Sequence, residues 1–306
     1  MFNYANLHDV FPSGLPNPYD RKLQHEIESS RKSFDGILFI DRVLRAVGIT
    51  KAKVYPPKTD NAVKQLHQQI CDANMSMHYK FSLFYYVLLD FDEASDHQSV
   101  SEAFVEASGM PKKYQIFMKG LWYMDKQDFA RALEYIAHPS LIPDFADDII
   151  TVLVRRAQGN DYTLALSYFQ TVQPILQTSA ALELLFNAMA RTSVSEALFY
   201  SRTHPTHTRQ LLFRQLVASV LDGRGGEEFS NRASELAFLP LDFAEEEWFE
   251  EYLTTGNGKS HKKAKDTLLI RKIASDRFSE VSNQRQGGQW AGVLEGIKGG
   301  IGGQTE

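Results

Sequence analysis

The sequence predicts an all-α fold, an α-solenoid of stacked helix pairs, on three observations. A short phrase recurs four times between residues 96 and 205, a longer apolar segment with helical spacing flanks each copy, and a proline closes each one. The phrases are Ser99-Val100-Ser101-Glu102-Ala103-Phe104 running to Pro111, Asp128-Phe129-Ala130-Arg131-Ala132-Leu133 to Pro139, Asp161-Tyr162-Thr163-Leu164-Ala165-Leu166 to Pro174, and Ser193-Val194-Ser195-Glu196-Ala197-Leu198 to Pro205. Their alanines, Ala103, Ala132, Ala165 and Ala197, are spaced 29, 33 and 32 residues apart. A period in that range marks stacked helix pairs, because one pair cannot bury its apolar face alone and takes the next pair as its partner.

In chain order, residues 1–20 carry Pro12, Gly14, Pro16 and Pro18 and read as an extended lead-in. A helical pattern runs from Asp20 to Val47 on a stripe of Ile27, Phe34, Ile37, Leu38, Ile40, Leu44 and Val47, until Tyr55-Pro56-Pro57 interrupts it. Residues 58–73 supply another helix. The long apolar helices follow at 77–89, 112–124, 143–157, 175–190 and 208–221, with apolar side chains recurring at three and four positions, as in Ile149, Ile150, Leu153 and Val154. Each phrase between them reads as a short helix. Its Ser or Asp, four residues before the alanine, caps an orphaned backbone N–H, and its proline ends the run. The small Ala beside a larger Leu or Phe suits a close helix crossing.

After the fourth phrase, residues 222–226 are a glycine-rich turn and residues 227–252 a last helical region, placing a helical solenoid domain at 21–253. Residues 254–306 form a basic and glycine-rich tail. Within it, residues 262–281 make a basic amphipathic helix through Leu268, Leu269, Ile273 and Phe278, a face that nothing in the sequence obviously shelters. From Arg285 onward glycine surrounds Trp290, Val293, Leu294 and Ile297, a composition expected to stay disordered alone and to offer a docking peptide. Leu268, Leu269, Ile273, Trp290, Val293, Leu294 and Ile297 are therefore the candidate partner-binding residues.

Composition narrows the function classes. A net charge of −5 and a pI near 6.0 argue against the whole surface serving as a nucleic-acid platform. The charge is uneven, though: Asp242, Glu245, Glu246, Glu247, Glu250 and Glu251 precede a segment rich in Lys259, Lys262, Lys263, Lys265, Arg271 and Lys272. Those six cations are the candidate nucleic-acid contacts, which would bind phosphate without choosing sequence. No apolar run approaches the roughly 20 residues of a transmembrane helix. The start, Met1-Phe2-Asn3-Tyr4, lacks a secretory pattern, and the single Cys71 fits a reducing compartment, so an intracellular protein is expected.

The search for chemistry returns no catalytic residue, no metal site and no cofactor. Gly223-Arg224-Gly225-Gly226 follows a helix and meets Glu227-Glu228, so it reads as a turn and not as a phosphate loop. His204 and His207 lack further ligands nearby in sequence, and His78 lacks a nucleophile or carboxylate beside it. Asp90-Phe91-Asp92-Glu93 opens like a calcium loop without its glycine and closing glutamate, and reads as capping and solvation. Tyr114, Phe117, Trp122 and Tyr123 read as core packing between repeats.

Several of these residues together resemble the ELYS-like helical domain family. The likeness rests on Met77-His78-Tyr79 through Leu88-Leu89-Asp90-Phe91-Asp92, on Met110-Pro111-Lys112-Lys113-Tyr114 with Lys119-Gly120-Leu121-Trp122-Tyr123-Met124-Asp125, on Ala132-Leu133 with His138-Pro139, and on Ser193-Val194-Ser195-Glu196-Ala197 with Ser201-Arg202. It spans roughly residues 35–250. The resemblance implies a structural nucleoporin: a scaffold component of the nuclear pore complex at the nuclear envelope, docked on scaffold nucleoporins of the Y-shaped subcomplex, serving pore assembly and nucleocytoplasmic transport of protein and mRNA. Animal members also carry a β-propeller and chromatin-binding AT-hooks, whereas this sequence contains no Arg-Gly-Arg-Pro and looks like the short fungal form. The alternative is an adaptor that tethers DNA or chromatin through the basic tail. An enzyme is the third reading, to be revived by a buried pocket with two converging ionisable side chains.

Overall fold

The structure, a computed structural model, describes residues 2–50, 54–94, 99–222, 227–261, 263–275 and 277. Among them it is all-α, with sixteen α-helices, one 3-10 turn and no strand. No helix among the described residues is long and apolar enough to cross a membrane. Two compact units divide the chain, Met1–Thr178 and Ser179–Glu306.

The first unit holds α1 (Leu7–Val10), α2 (Arg21–Ser33), α3 (Phe39–Ala46), α4 (Asp60–Asp72), α5 (Met77–Ala94), α6 (Val100–Ser108), α7 (Lys112–Asp125), α8 (Phe129–Ile136), α9 (Ala146–Arg155) and α10 (Thr163–Val172). Every residue of α5 from Lys80 to Phe91 is buried. A helix apolar almost all round must be covered on every side, and α4, α6 and α7 cover it. Successive helices pair as the repeats predict, α5 with α6, α7 with α8 and α9 with α10. Contacts are not confined to neighbours in sequence, however, because α2 and α3 both return to pack on α7.

The second unit holds α11 (Ser179–Thr192), α12 (Val194–Ser201), α13 (Thr206–Leu221), α14 (Glu227–Ala237), α15 (Phe243–Thr254), the 3-10 turn Asn257–Ser260 and α16 (Ala264–Ala274). Helix α13 packs on α11, α12, α14 and α15, while α16 lies against α14 and α15.

The four phrases form α6, α8, α10 and α12, each ending before its proline. Side chains of Ser99, Asp128 and Ser193 accept hydrogen bonds from the backbone N–H groups of Glu102, Arg131 and Glu196, the capping that the phrases predict. In the third phrase the cap shifts to Tyr162, and Asp161 accepts from the Thr163 N–H at 3.1 Å instead. Ala132, Ala165 and Ala197 are buried at crossings, but Ala103 is exposed and Phe104 takes the buried position in α6.

Several boundaries differ from the sequence expectation, each for a visible reason. The pattern from 20 to 47 splits into α2 and α3 because Asp35 and Gly36 adopt left-handed backbone at φ 55° and 87°. Residues 227–252 split into α14 and α15 at Leu239-Pro240, where proline removes a donor. Residues 11–20 form no helix, as their prolines predict, but Leu7–Val10 form α1 and Val10, Phe11 and Tyr19 are buried, with the Phe11 ring 6.3 Å from Phe84 and 5.6 Å from Phe91. Nor does the helix after residue 254 lack shelter, since Ala264, Thr267 and Leu269 are buried in the second unit.

Helix α7 crosses α8 closely at Gly120. A Cβ on Gly120 would lie 2.4 Å from Ile136 Cγ2 and 3.1 Å from the Ile136 nitrogen, closer than such atoms pack. Gly120→Ala should therefore destabilise the protein by roughly 1–3 kcal/mol of overpacking, partly offset by the roughly 1 kcal/mol that Ala gains over Gly in a helix. Chemical denaturation followed by circular dichroism checks this; an unchanged midpoint would show that α8 yields without cost.

Candidate functional site

The first unit carries an open groove of about 470 Å³ between α3, α5, α7 and the segment that enters α9. Val43 and Val47 form one wall, Tyr79 a second, Tyr114, Phe117 and Met118 the floor, and Leu141, Ile142 and Phe145 the far side. Ile142 is 76% exposed and Tyr79 50% exposed, although both are large and apolar in body. Lys113, Ser140 and Asp144 supply polar groups around them.

Aromatic geometry shapes this groove. Tyr114 stacks on His78 at 5.3 Å, meets Tyr79 edge-on at 6.2 Å and lies beneath the Lys113 ammonium at 5.0 Å. Phe117 and Phe145 stack almost parallel, 8° apart at 6.4 Å. Phe145 holds left-handed backbone, φ 57° and ψ 25°, just before the first turn of α9. For a bulky residue that conformation costs on the order of 1–3 kcal/mol and persists only where its surroundings hold it. Its carbonyl accepts the Ile149 N–H at 2.9 Å, starting the helix, and its ring completes the groove.

Two buried carboxylates tie the helices of the first unit together. Asp125 at the end of α7 accepts from the Phe39 N–H at 2.7 Å and the Ile40 N–H at 3.0 Å, so it caps α3 from 85 and 86 residues away, and from the Tyr86 hydroxyl at 2.7 Å. Asp90 on α5 accepts from the hydroxyls of Tyr19 and Tyr55, each at 2.7 Å, and from the Trp122 indole N–H at 2.8 Å. Arg42 pairs with Asp148 at 3.1 Å and ties α3 to α9.

Burial raises the pKa of both acids, Asp125 up to about 7, against the pull of their hydrogen bonds. Tyr19, Tyr55 and Tyr86 titrate well above the usual phenol range through burial and the neighbouring carboxylate, so they remain donors. A second cavity of about 300 Å³ is lined by Tyr55, Tyr86 and Asp125. Asp125 and Tyr86 converge there as ionisable groups would in an enzyme. Each of the four oxygens of Asp90 and Asp125 already accepts a protein donor, so the arrangement joins helices as it stands.

The sequence-predicted residues fall in different places. Leu269 is buried and Leu268 and Ile273 are half-buried, so α16 presents much of its apolar face to its own unit. Arg271 donates to the Ala237 and Leu239 carbonyls at 2.8 and 2.6 Å and pairs with Glu246, while Lys272 pairs with Glu250 at 2.8 Å. Those two cations neutralise the acidic face of α15 and leave the candidate nucleic-acid set. Lys259, Lys263 and Lys265 are exposed. Lys262, Trp290, Val293, Leu294 and Ile297 lie outside the described residues.

Sequence reasoning missed other members. Asp92 does cap, accepting the Val100 and Ser101 N–H groups at 2.6 and 3.2 Å, but its neighbour Asp90 is the buried hub and not a solvated group. Tyr114 and Phe117 are half-exposed in the groove, not core, while Trp122 is buried. His78 is an exposed ring stacked on Tyr114. His204 packs edge-on against Tyr200 at 4.9 Å, and no group of three or more metal-ligating side chains occurs among the described residues. A hydrophobic run broken by one aspartate, as at Leu88-Leu89-Asp90-Phe91, is the signal that marks such a hub.

Residues 37–256 match the family model ELYS, described as nuclear pore complex assembly. A Schizosaccharomyces pombe protein described as uncharacterized protein ely5 is 27% identical over 210 residues, 67% of this chain and 66% of that protein. The chain thus spans just under two thirds of the length of that curated relative. The matched region runs from the residues before α3 to the end of α15 and contains the whole groove.

Asp125 binds its proton more tightly in the folded chain, at about 7, than in the unfolded chain, near 3.9. Between those values the native state holds more protons, so this group's contribution to stability falls as pH rises from about 4 to 7. In Asp125→Asn that contribution disappears, and the added amide N–H₂ faces the Ile40 N–H, a loss of roughly 1–3 kcal/mol. The stability difference between the parent chain and Asp125→Asn should be largest near pH 4 and shrink towards pH 7. Thermal melts across that range read it, and a difference that grows with pH would show that Asp125 is ionised throughout.

Proposed function

The chain belongs to the ELYS family of nuclear pore complex assembly, and from that premise we propose that it is a structural nucleoporin without enzymatic activity. It resides in the nuclear pore complex at the nuclear envelope, docks on scaffold nucleoporins of the Y-shaped subcomplex, and serves pore assembly and thereby protein and mRNA transport. It needs no cofactor in this role. Stacked helix pairs suit such a task because they display long outer surfaces.

The observation that carries this reading is the aromatic groove within the family-matched region. Its exposed Tyr79 and Ile142 are anchors of the kind that dominate protein interfaces, and the stacked Phe117 and Phe145 rings hold its floor in place before a partner arrives. The interior acids give no competing site, since their oxygens are engaged.

A DNA- or chromatin-tethering role through the tail is the second reading, favoured by the exposure of Lys259, Lys263 and Lys265. Replacing Lys262, Lys263 and Lys265 by Glu should abolish a salt-sensitive gel shift if that role is real.

For the scaffold reading, the test is binding of the purified chain to a reconstituted Y-shaped subcomplex. Binding is expected, and Tyr79→Ser with Ile142→Asp should weaken it at least about tenfold, or about 1.4 kcal/mol, while leaving the melting temperature within a few degrees. A parent chain that ignores the subcomplex overturns the reading, and a double variant that binds as tightly removes the groove from it.

A further inference from the structure

A trough runs between α6 and α7 on the first unit. Two hollows of about 610 and 290 Å³ share Tyr85, Glu102 and Lys119 and so join end to end. Helices α6 and α7 both pack on α5, which supplies Tyr85 and Leu89 to the floor. Val105 and Ile116 add half-buried apolar surface, and Tyr123 stacks on Tyr135 at 5.5 Å on the side of α8. The α7 residues of the smaller hollow, Lys112, Gln115, Ile116 and Lys119, recur at three and four positions, on the face opposite to Tyr114, Phe117 and Met118. From residue 112 to residue 126 that wall is about 21 Å long, or about four turns of helix.

The two walls carry opposite charge. Glu102 and Glu106, a turn apart on α6, are exposed, while Lys112 on α7 is exposed and Lys119 half-buried with its ammonium 5.5 Å from the Tyr135 ring centre. All four line the smaller hollow, yet none of them is ion-paired among the described residues. In the larger hollow, by contrast, Lys126 pairs with Glu93, and Arg131 with Asp128 at 3.4 Å. The acidic and basic rows are held apart across an apolar floor, and each is open to a charge that lies between them. A helix supplies such charges when an apolar stripe is flanked by basic residues on one edge and acidic residues on the other, as the seam of a coiled coil is flanked. Turning that helix end for end would set like charges together, so the trough also fixes its direction.

We infer that the trough between α6 and α7 docks one amphipathic helix of a partner protein, with its basic edge against Glu102 and Glu106 and its acidic edge against Lys112 and Lys119. This surface is separate from the aromatic groove, and the inference stands whether or not that groove binds the Y-shaped subcomplex.

A display library selected on the purified full chain tests it, with helical peptides about four turns long, leucine fixed along one stripe and Lys or Glu varied on both flanking edges. The parent chain should enrich peptides whose two edges differ in sign at least about tenfold over peptides with like edges. Lys112→Glu with Lys119→Glu makes both walls acidic and should enrich Lys on both edges. Glu102→Lys with Glu106→Lys makes both walls basic and should enrich Glu on both; it changes only exposed side chains and serves if the first pair disturbs α7. Lys259→Glu with Lys265→Glu, the same change of net charge placed elsewhere, should keep the parent preference. By fluorescence anisotropy, a selected peptide should bind Tyr79→Ser with Ile142→Asp as tightly as the parent. A parent chain without edge preference would overturn the inference, as would a preference that the wall variants leave unchanged or that Lys259→Glu with Lys265→Glu shifts equally. Loss of binding in Tyr79→Ser with Ile142→Asp would place the helix in the aromatic groove instead. Parent dimers that Glu102→Lys with Glu106→Lys dissolves would assign the trough to a second copy, and either result overturns the inference.

Discussion

A carboxylate shut away from water must receive its hydrogen bonds from the protein, and the first unit is organised around two that do. Asp90 and Asp125 lie on the paired helices α5 and α7, and both are buried. Neither helix can satisfy them alone. Each helix lends the other one donor, Trp122 to Asp90 and Tyr86 to Asp125, and the rest come from Tyr19, Tyr55 and the start of α3, so segments distant in sequence must close over the helix pair before either acid is stable there. Removing any one donor would leave a buried acceptor short by on the order of 1–3 kcal/mol. This explains why α3 returns to α7 and why Tyr19, ahead of α2, is buried.

In the second unit the same logic runs through opposite charges. Glu245 is buried at the start of α15, where it forms a capping box with Asp242 and accepts from Arg202 and Arg209. The next residue, Glu246, and Glu250 a turn beyond it face α16 and hold Arg271 and Lys272. The acidic and basic blocks of the sequence are thus two sides of one contact. Two nitrogens of Arg271 reach one oxygen of Glu246 while its third reaches the Ala237 and Leu239 carbonyls, which fixes α16 against both α15 and the end of α14.

What the sequence made legible was local. Helix type, the caps at Ser99, Asp128 and Ser193, and the proline stops depend on residues within a turn of one another, and a single chain displays them directly. The hubs were hidden because their partners lie 32 to 86 residues away, as from Trp122 to Asp90 and from Phe39 to Asp125. The groove was half hidden for a related reason. An aromatic stripe looks alike whether a neighbour covers it or leaves it open, and only the return of α3 decides that Met118 is covered while Tyr114 and Phe117 remain partly open. Charge blocks mislead in the same way, since Arg271 and Lys272 count as basic until Glu246 and Glu250 are placed opposite them.

The division between engaged and unengaged groups also separates surfaces that a partner could cover from groups already used by the fold. A buried acid whose oxygens all accept protein donors offers a ligand nothing without first breaking those bonds. An exposed aromatic ring loses only ordered water when a partner covers it, at roughly 25 cal/mol for each Å² of apolar surface. The left-handed Phe145 is half-buried and offers part of its ring in this way. Its strained backbone is held by the stack on Phe117 and by the first hydrogen bond of α9, so its ring stands in position before contact, and an interface built there avoids part of the ordering cost that a mobile side chain would incur. The buried network and the open groove are therefore coupled: Asp125 fixes the start of α3, α3 supplies Val43 and Val47 to the groove wall, and the surface keeps its shape because the interior is satisfied.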